Sequence, residues 1–537
     1  MKSINKIIII LLSAAAIAGC KKSFLDRPSN SQISSNNFYK TTADLRLATA
    51  SLYGGSEWWQ WNNEAWLQLG DVLSGTGSFQ YNGDLVQLFT RTITAQNGIV
   101  TNGWVGLYNV VGQCNGVINA IQQQASSSIS ATDKNAAIGE AKFIRAVAYY
   151  YLAVYWGAVP IIEDNSKLIK DPLLNRNITS DVYKFVANDL TYAAQYLPET
   201  DEKGRVTTWS AQGMLGKVYL TMAGLGQSGG GRDQALLDSA KKYAGNVCKN
   251  SGLQLFGQND PNHQGYYDLF RPQNNDNVES LFSLQWAGGV GYGNGNDIQG
   301  YFSPSSAILP QKQGGWEPLA PTYDLYQMYS ANDTIRRKAT IMLNGDYYPE
   351  LDQANGGYTA TGTGLKKHII GNEKDNNSPT MDMWSSIEHT MILRLADVYL
   401  VYAEAILGNN ATTTDGDAIK YFNLVRSRAG VDPVVTLDAT TLRTERRVEL
   451  AFEGQYWIDL VRYSYYDPAN AVKFLNNQDV NHGRISFTYD PVTKTATRDT
   501  IAPPATLPAT ISSFTLPIPS SELTTDPKLA QPPVPYY

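Results

Sequence analysis

The strongest constraint on the fold is a helical pattern in which small and large side chains alternate. In DKNAAIGEAKFIRAVAYYYLAVYWG, which starts at Asp133, alanines stand between large apolar residues: Ala141, Ala146, Ala148 and Ala153 between Phe143, Tyr149, Leu152 and Tyr155. Small residues let one helix approach another closely, while the large ones fill the space between them. The pattern predicts a long packed helix with Asp133 as its N-cap.

The same texture recurs along the chain. The further helical segments are NFYKTTADLRLATASLYGG (closed by Gly54), NGWVGLYNVVGQCNGVINAIQQQ, TSDVYKFVANDLTYAAQYLP, WSAQGMLGKVYLTMAGLG, DQALLDSAKKYAGNVCKN, ILRLADVYLVYAEAILG and DAIKYFNLVRSRAG. Successive helix pairs of this kind predict a mainly α fold, a tetratricopeptide-like α-α superhelical scaffold over about 37–250 and 390–465. A generic α-helical domain is the alternative, and the pattern alone does not separate the two.

Two zones, about 54–98 and 251–390, are expected to be loop-rich; in the second the helical pattern fades, and Gly, Asn, Pro and aromatic residues dominate. Within the second zone, SLFSLQW and KKHII are predicted short strands, and FTYDPVTKTATRDTIAPPATLPAT near the C-terminus is predicted to be a hairpin or loop. Irregular segments this long inside a domain are usually functional or disordered. We expect them to hold the ligand-binding part of the protein.

The composition is that of a globular protein. The chain has 537 residues, 43% hydrophobic and 17% charged, with a formal net charge of −6. No basic run is longer than three residues, which argues against nucleic acid as a partner. The Cys and His residues lack the close spacing of a zinc site, and no metal or cofactor is expected; they are Cys20, Cys114, Cys248, His263, His368, His389 and His482. Buried free thiols are favoured for Cys114 and Cys248, although a bond between them is possible in an oxidising compartment.

The N-terminus, MKSINKIIIILLSAAAIAGC, has a short basic start, an apolar run and small residues directly before Cys20. The run is too short to span a bilayer, so it predicts a secretory signal at 1–19. Its ending resembles the lipobox of bacterial lipoproteins, in which the chain is cut before the cysteine and that cysteine is acylated. We therefore expect a lipid anchor on Cys20, a tether at 20–36 and a single domain at 37–537; an ordinary signal peptide is the alternative.

Motifs for catalysis are weak. GQSGG at 226–230 matches a nucleophile elbow as text but lies between helical segments, so it is interpreted as a linker. GGVGYGNGND at 288–297 does not meet the dinucleotide-binding spacing and is interpreted as a loop carrying Tyr292. Paired carboxylates for glycoside hydrolysis are defined by their separation in space. With 49 acidic residues in the chain, their presence does not select an enzyme.

The stretch EWWQW places Trp58, Trp59 and Trp61 within four positions. A helix would bring Trp58 and Trp61 to one face and Trp59 to another, whereas a strand would pair Trp59 with Trp61. Since neither arrangement points all three into one core, we expect at least one of them to be exposed. An exposed aromatic of this size suggests a binding surface.

The segment LRTERRVELAFEGQYWIDLVRY, which starts at Leu442, mixes charged and apolar residues around every side of a helical wheel. A helix of this kind is expected to be packed on several sides, with its charges satisfied by ion pairs. We interpret the charges as structural and a catalytic role as the less favoured alternative.

This segment, the lipobox Cys20 and the tether KKSFLDRPS resemble the SusD/RagB family of outer-membrane nutrient-binding lipoproteins. Other matching stretches follow in the same order, from FYKTTADLRLATASLYGG through EAKFIRAVAYYYLAVYWGAVPII, ILRLADVYLVYAEA and FNLVRSRAGV to LPIPSSELTTDPKLAQ. The resemblance runs from Cys20 nearly to the last residue.

The resemblance implies a binding protein and not an enzyme. Members of this family are lipid-anchored in the outer membrane, face the cell exterior and lie as a lid over a SusC-like TonB-dependent transporter. They capture oligosaccharides, or in some branches peptides, and pass them to the transporter. The family shares scaffold motifs rather than a binding motif, so the resemblance assigns no ligand residue.

A glycan site needs flat aromatic side chains flanked by polar groups, because sugars have apolar C–H faces and polar rims. We predict that a subset of the aromatic residues in the irregular zones forms an arc along a glycan; the candidates are Trp58, Trp59, Trp61, Tyr81, Trp286, Tyr292, Tyr301 and Trp316. The candidate hydroxyl-binding residues are Asn62, Gln80, Asn82 and Asp84. For any single aromatic, packing in the core is an equal alternative.

Two other functions stay open from the sequence. A peptide receptor of the same family would use the aromatics as hydrophobic pockets, and a surface glycoside hydrolase would need a carboxylate pair. Titration with peptides and glycans side by side separates the first, and hydrolysis lost on changing one carboxylate identifies the second.

Overall fold

A series of helices that pack each on the next forms the scaffold. The computed structural model describes residues 38–481, 483–499 and 505–537; the predicted signal peptide at 1–19, Cys20 and the tether at 20–36 lie outside the described residues. In chain order the first helices are α1 (Thr42–Ala50), α2 (Ser56–Trp61), α3 (Gly83–Thr90), α4 (Gly98–Gln124), α5 (Ala131–Trp156), α6 (Thr179–Tyr196), α7 (Thr208–Met222), α8 (Gln234–Asn250) and α9 (Gly265–Asp268). They are followed by α10 (Ile298–Phe302), α11 (Tyr323–Met328), α12 (Thr334–Thr340), α13 (Leu395–Leu407), α14 (Gly416–Arg428), α15 (Ala439–Glu449), α16 (Gln455–Tyr466), α17 (Pro468–Val480) and α18 (Ser520–Thr525).

The packing order is that of a tetratricopeptide-like array. Helices α4 to α8 each pack on the next in sequence, and α8 then packs on α13, which packs on α14. Small residues stand at the crossings: a side chain added at Gly216 of α7 would lie 2.9 Å from the Cβ of Ala244 in α8. The predicted scaffold, and the role of its small residues, are confirmed.

The strands are short and pair in antiparallel couples. These are β1 (Gly77–Phe79) with β3 (Leu319–Pro321), β2 (Ser280–Leu284) with β8 (Thr390–Arg394), β4 (Ile341–Met342) with β7 (Gly364–Leu365), β5 (Tyr347–Tyr348) with β6 (Tyr358–Thr359), β9 (Thr412–Thr413) with β10 (Leu437–Asp438), and β11 (Phe487–Asp490) with β12 (Thr495–Arg498). The strand in SLFSLQW and the C-terminal hairpin were predicted correctly.

The prediction of a strand in KKHII is wrong. Residues 366–370 are buried without strand pairing. Charged contacts hold them: the Lys367 Nζ donates to Glu453 Oε1 at 2.7 Å, and the ring nitrogens of His368 face Glu388 Oε1 at 3.1 Å and the Phe452 carbonyl oxygen at 2.8 Å. The apolar end of the segment resembled a strand, but buried charge pairs determine its path.

The start of α5 also differs from the prediction. Its N-cap is Ser130, whose hydroxyl accepts from the backbone N–H of Asp133 at 3.0 Å. Asp133 lies in the first turn instead, where a carboxylate favours the helix N-terminus. Ser130 takes the N-cap position because its hydroxyl oxygen reaches the backbone N–H of the third residue after it.

The charged segment that starts at Leu442 forms two helices, α15 and α16, and not one. The chain turns between them, where Gly454 has a φ of 66° and its Cα would lie 2.3 Å from a side chain added at Gly70. The buried Asp71 carboxylate accepts from the backbone N–H groups of Phe452 at 3.0 Å and Gly454 at 3.1 Å. Burial raises the pKa of Asp71 to about 7.

The charges of this segment are buried and paired, as predicted. Glu449 is fully buried and accepts from Arg394 at 2.7 Å, from Arg336 at 2.9 Å and from Arg428. Glu279 binds Arg394 at 2.8 Å and Arg428 at 2.5 Å. We call these five residues the central charge cluster; it joins α12, β8, α14 and α15 to Glu279, the residue before β2.

Cys114 and Cys248 are both free, and Cys114 is buried in α4. The glycines at 226–230 form the exposed connection between α7 and α8, as interpreted. None of the helices within the described ranges has the length and apolar character needed to cross a membrane.

Candidate functional site

The tryptophans of EWWQW lie on helix α2 and point in two directions. Trp58 and Trp61 are fully buried. The Trp58 Nε1 donates to the Leu52 carbonyl oxygen at 2.8 Å, and the Trp61 ring lies 4.8 Å from that of Tyr151. The prediction that a glycan stacks on Trp58 or Trp61 is therefore wrong, because the helix turns both rings into the core.

Trp59 points the other way, toward the irregular zone. Its ring centroid lies 4.7 Å from that of Tyr292, but only 9% of the residue is exposed. The expectation of a large exposed aromatic within EWWQW is thus wrong. The stretch is no loop either, since the helix continues as π-helical turns over Asn62–Trp66 and Gln68–Val72.

Trp286 also belongs to the core. It follows strand β2, is 6% exposed, and its Nε1 donates to Thr390 Oγ1 of β8 at 3.0 Å. Its predicted role in glycan stacking is wrong because the β2–β8 pair buries the ring.

The remaining predicted aromatics come together in space and include one ring that the sequence argument missed. Ring centroids lie 4.7 Å apart for Trp59 and Tyr292, 5.1 Å for Tyr292 and Trp384, 5.7 Å for Trp384 and Trp316, and 5.7 Å for Trp316 and Tyr301. We call this set, with Tyr81, the aromatic platform. Its most exposed members are Tyr292 (60%), Tyr81 (47%) and Trp316 (42%).

Tight backbone packing holds two loops of the platform together. The Ser386 N–H donates to the Asn296 carbonyl oxygen at 2.7 Å. A side chain at Gly295 would lie 2.4 Å from the Trp384 carbonyl oxygen, and one at Gly300 would lie 2.2 Å from that of Met383. Only glycine permits these approaches, which set Trp384 beside Tyr292.

The loop after β1 adds the other edge of the platform. The β1–β3 pair continues as a hydrogen bond from the Gln80 N–H to the Pro318 carbonyl oxygen at 2.7 Å. The Tyr81 hydroxyl then donates to the Trp316 carbonyl oxygen at 2.6 Å. Asn82, at a φ of 90°, caps helix α3 with its side-chain oxygen. Gln80 and Asn82 are both exposed at this edge.

The other two predicted hydroxyl-binding residues have structural contacts. Asn62 is buried, and its Nδ2 donates to Asn63 Oδ1 at 2.8 Å, so its predicted ligand role is wrong. Asp84 is half-buried, and its Oδ2 accepts from the Gly98 N–H at the start of α4 at 3.1 Å. Asp84 therefore helps to fix the start of α4.

Two carboxyl groups lie beside the platform. Glu64 is half-buried in the first π-helical turn, and Asp297 is nearly buried in the facing loop. Asn63 joins the two segments: its Oδ1 accepts from the Asp297 N–H at 3.2 Å, and its Nδ2 donates to the Gly295 carbonyl oxygen at 2.9 Å. Burial first, and then the Glu64 carboxylate, raise the pKa of Asp297 to about 8, and burial raises the pKa of Glu64.

A third carboxyl group lies behind Trp316. The N–H of Glu317 donates to the Tyr301 carbonyl oxygen at 3.0 Å, which links two platform residues through the backbone. Burial raises the pKa of Glu317 to about 8. Within the part of the chain that the structure describes, no three His, Cys, Asp or Glu side chains are grouped as a metal ion would require.

The arrangement offers a broad aromatic surface with hydrogen-bonding groups at its edges. Rings of this kind present flat apolar faces, and the phenols, amides and Glu64 provide donors and acceptors. Trp384 could have been found from its place in the Gly- and Asn-rich zone, which carries the other exposed aromatics. Its proximity to Trp316 is a property of the folded loops alone.

Comparison with known proteins gives the family. A model described as SusD family matches residues 278–537, and one described as starch-binding associating with outer membrane matches residues 23–220. A SusD-like protein of Bacteroides ovatus is 37% identical over 552 aligned residues, covering 99% of this chain and 98% of the relative. This chain belongs to the SusD family. SusD-like proteins are carbohydrate-binding proteins rather than enzymes.

Solved structures of SusD-like proteins share the fold. One crystal structure, with xylogluco-oligosaccharide, is 36% identical and superposes with a TM-score of 0.83, covering 92% of this chain and 99% of that chain. A laminarin-binding SusD-like protein, 21% identical, has a TM-score of 0.68 and covers 91% of this chain and 98% of that one.

Proposed function

We propose that this SusD-family protein captures oligosaccharides or polysaccharides on the aromatic platform and delivers them to a partner TonB-dependent transporter of the outer membrane. The observation that carries the proposal is the contiguous set of rings from Trp59 to Tyr301, of which Tyr292 and Trp316 are exposed and Tyr301 and Trp384 half-buried. Such a surface suits the C–H faces of an extended glycan.

The chemistry of the platform favours a sugar ligand over a purely apolar one. Each ring contacts the next edge-on or tilted, with centroids 4.7 to 5.7 Å apart, while Asn82, Gln80 and Glu64 stand at the edges as hydrogen-bonding groups. A peptide receptor would instead need anchors that enclose side chains. The relatives with xylogluco-oligosaccharide and with laminarin support a glycan, and the first shares 36% identity with this chain.

Attachment and delivery are part of the proposal. Acylation of Cys20 would anchor the domain at 37–537 through a tether at 20–36, with its platform facing the cell exterior. More than one acyl chain gives stable anchoring, whereas a single chain holds only marginally. Replacing Cys20 with Ser should release the protein from the membrane fraction; an unchanged membrane fraction would contradict a lipid anchor.

Affinity electrophoresis tests the ligand class. The protein without its first 20 residues is run through gels that contain xyloglucan, laminarin, starch or xylan, beside the variant Trp384→Ala. We expect at least one polysaccharide to retard the wild type and Trp384→Ala to reduce that retardation. Tyr537→Ala, at an exposed tyrosine on the C-terminus that contacts α6, is the matched control.

The other outcomes of this experiment indicate a different function or a different binding site. No retardation by any of the polysaccharides, with binding of a peptide library in parallel titrations, would favour a peptide receptor. Release of reducing ends that is lost in Glu64→Gln would identify a glycoside hydrolase. Retardation unaffected by Trp384→Ala would place the glycan away from the platform.

A further inference from the structure

Glu64 directly follows Asn63, whose side chain accepts from the Asp297 N–H at 3.2 Å and donates to the Gly295 carbonyl oxygen at 2.9 Å, in the segment between the platform residues Tyr292 and Tyr301. Burial first, and then the Glu64 carboxylate, raise the pKa of the phenols of Tyr292 and Tyr301. These two rings stand on opposite sides of the Trp316 and Trp384 pair. A glycan stacked along the platform would therefore pass close to this carboxylate, so its charge bears on which glycans can bind.

The charge of Glu64 is not compensated by a cation. Among the residues that the structure describes, neither Glu64 nor Asp297 forms a salt bridge, and no basic side chain lowers the pKa of either group. Asp297 lies deeper, and its pKa is raised to about 8. Because burial disfavours the charged form, the negative charge of the pair lies on Glu64, the member closer to water.

An ionised carboxylate only accepts hydrogen bonds. A sugar hydroxyl can donate to it, whereas the carboxylate of a uronic acid cannot and adds a like charge. Like charges repel more strongly where burial reduces solvation. The surroundings of Glu64 are half-buried, so this repulsion is only partly screened by water.

We propose that Glu64 is a specificity-determining residue that selects neutral glycans, whose hydroxyls donate to it, over glycans that carry uronic acid carboxylates at the same place. This inference rests on the proposed function of the platform. It assigns to the neighbouring Asp297 only the role of a neutral group beneath Glu64.

Isothermal titration with matched polysaccharides tests the inference. Xyloglucan, laminarin and starch are each titrated at about pH 7 in neutral form and after partial oxidation of their primary hydroxyls, which converts hexose units to uronic acids. Xylan, which lacks these hydroxyls, is compared with a xylan that carries glucuronic acid branches. For every polysaccharide whose neutral form binds, we expect the wild type to bind the oxidised form at least about tenfold more weakly. The variant Glu64→Gln should reduce this difference to less than about threefold.

Two variants serve as matched controls. Asp297→Asn resembles the protonated acid and should keep the discrimination of the wild type. Glu57→Gln, in the first turn of α2, removes a carboxylate that raises the pKa of the buried Cys114 and does not raise the pKa of the platform tyrosines Tyr292 and Tyr301. It should also leave the discrimination unchanged.

Equal binding of both forms by the wild type, or undiminished discrimination in Glu64→Gln, overturns the inference and leaves the glycan platform standing. If Glu64→Gln folds but binds neither form, the wild type is titrated from about 20 mM to about 500 mM NaCl; a discrimination that does not shrink overturns the charge argument. Failure of every neutral polysaccharide to bind the wild type overturns the proposed function, and this inference with it.

Discussion

Neutralising Glu449 should destabilise the whole protein more than removal of any surface ion pair. The variant Glu449→Gln keeps the size of the side chain but removes the charge that faces Arg336, Arg394 and Arg428 in the central charge cluster. Removing one partner of a buried ion pair costs about 3–5 kcal/mol, because the other partner is left buried without compensation. Here three guanidinium groups lose a partner at once.

The cost converts into a measurable change of melting temperature. The entropy of unfolding is about 2.1 cal/mol/K per residue, which gives about 1 kcal/mol/K for roughly 500 folded residues that melt as one unit. Glu449→Gln should therefore lower the Tm by about 3–5 °C in differential scanning calorimetry. The control Asp417→Asn breaks the exposed pair with Lys249, whose side chains are 38% and 47% exposed, and should lower it by at most about 1 °C.

The pH dependence of the Tm provides a second test of the same variant. Burial alone would raise the pKa of Glu449, but Arg428, Arg394 and Arg336 hold it well below its usual range. A carboxyl group whose pKa is lowered by folding stabilises the folded state at every pH above its ordinary pKa, which is 4.5 for glutamate. This stabilisation is lost as the pH falls through the lowered pKa of the folded state. The Tm gap between wild type and variant should thus narrow only in acid. A gap below about 1 °C at neutral pH, equal to that of the control, would refute the reasoning.

Three further predictions concern the platform, the turn before α16 and a buried histidine. Trp316→Ala should weaken binding of a retained polysaccharide by about tenfold, because covering half of the 42% exposed ring surface contributes about 1.3 kcal/mol; titration beside Tyr537→Ala, which should bind normally, checks this. Gly454→Ala should destabilise by at least about 1–3 kcal/mol, since its φ is 66° and the added Cβ would lie 2.6 Å from a tryptophan nitrogen; a Tm equal to that of the wild type would contradict it. His368 has acceptors at both ring nitrogens, and the carboxylate beside it raises its pKa despite burial. The stability that protonated His368 contributes is complete below pH 6.5, the ordinary pKa of histidine, and is lost as the pH rises through the raised pKa of the folded state. The Tm gap between wild type and His368→Gln should therefore shrink from about pH 6 to about pH 9.

The helical scaffold could be predicted because its signal is local. Alternating small and large residues at helical spacing appear in each segment separately, and the close approach of Gly216 and Ala244 is the expected result. The break between α15 and α16 was missed for the opposite reason. Helix formers flank it on both sides, and the turn is stabilised by Asp71, which lies far away in the sequence.

The candidate site could be predicted only in part. Of the two arrangements of EWWQW that the sequence left open, the helical one is found and separates Trp59 from Trp58 and Trp61. Which face is covered depends on distant residues such as Tyr151 and Tyr292. Trp384 joins the platform because glycines let two loops meet. No periodicity in an irregular segment encodes such a meeting, so composition could indicate the zone but not the pairs of rings.

The aromatic platform is built from stretches of chain that are far apart in sequence, around 59, 81, 292–301, 316 and 384. Its three most exposed rings, Tyr292, Tyr81 and Trp316, stand outside the helices, whereas the central charge cluster is buried and shares no residue with them. A substitution in one loop therefore changes one ring and leaves the residues that stabilise the fold unchanged. Copies of a duplicated gene can therefore change their ligand preference one ring at a time, with each intermediate still folded and the remaining rings in place.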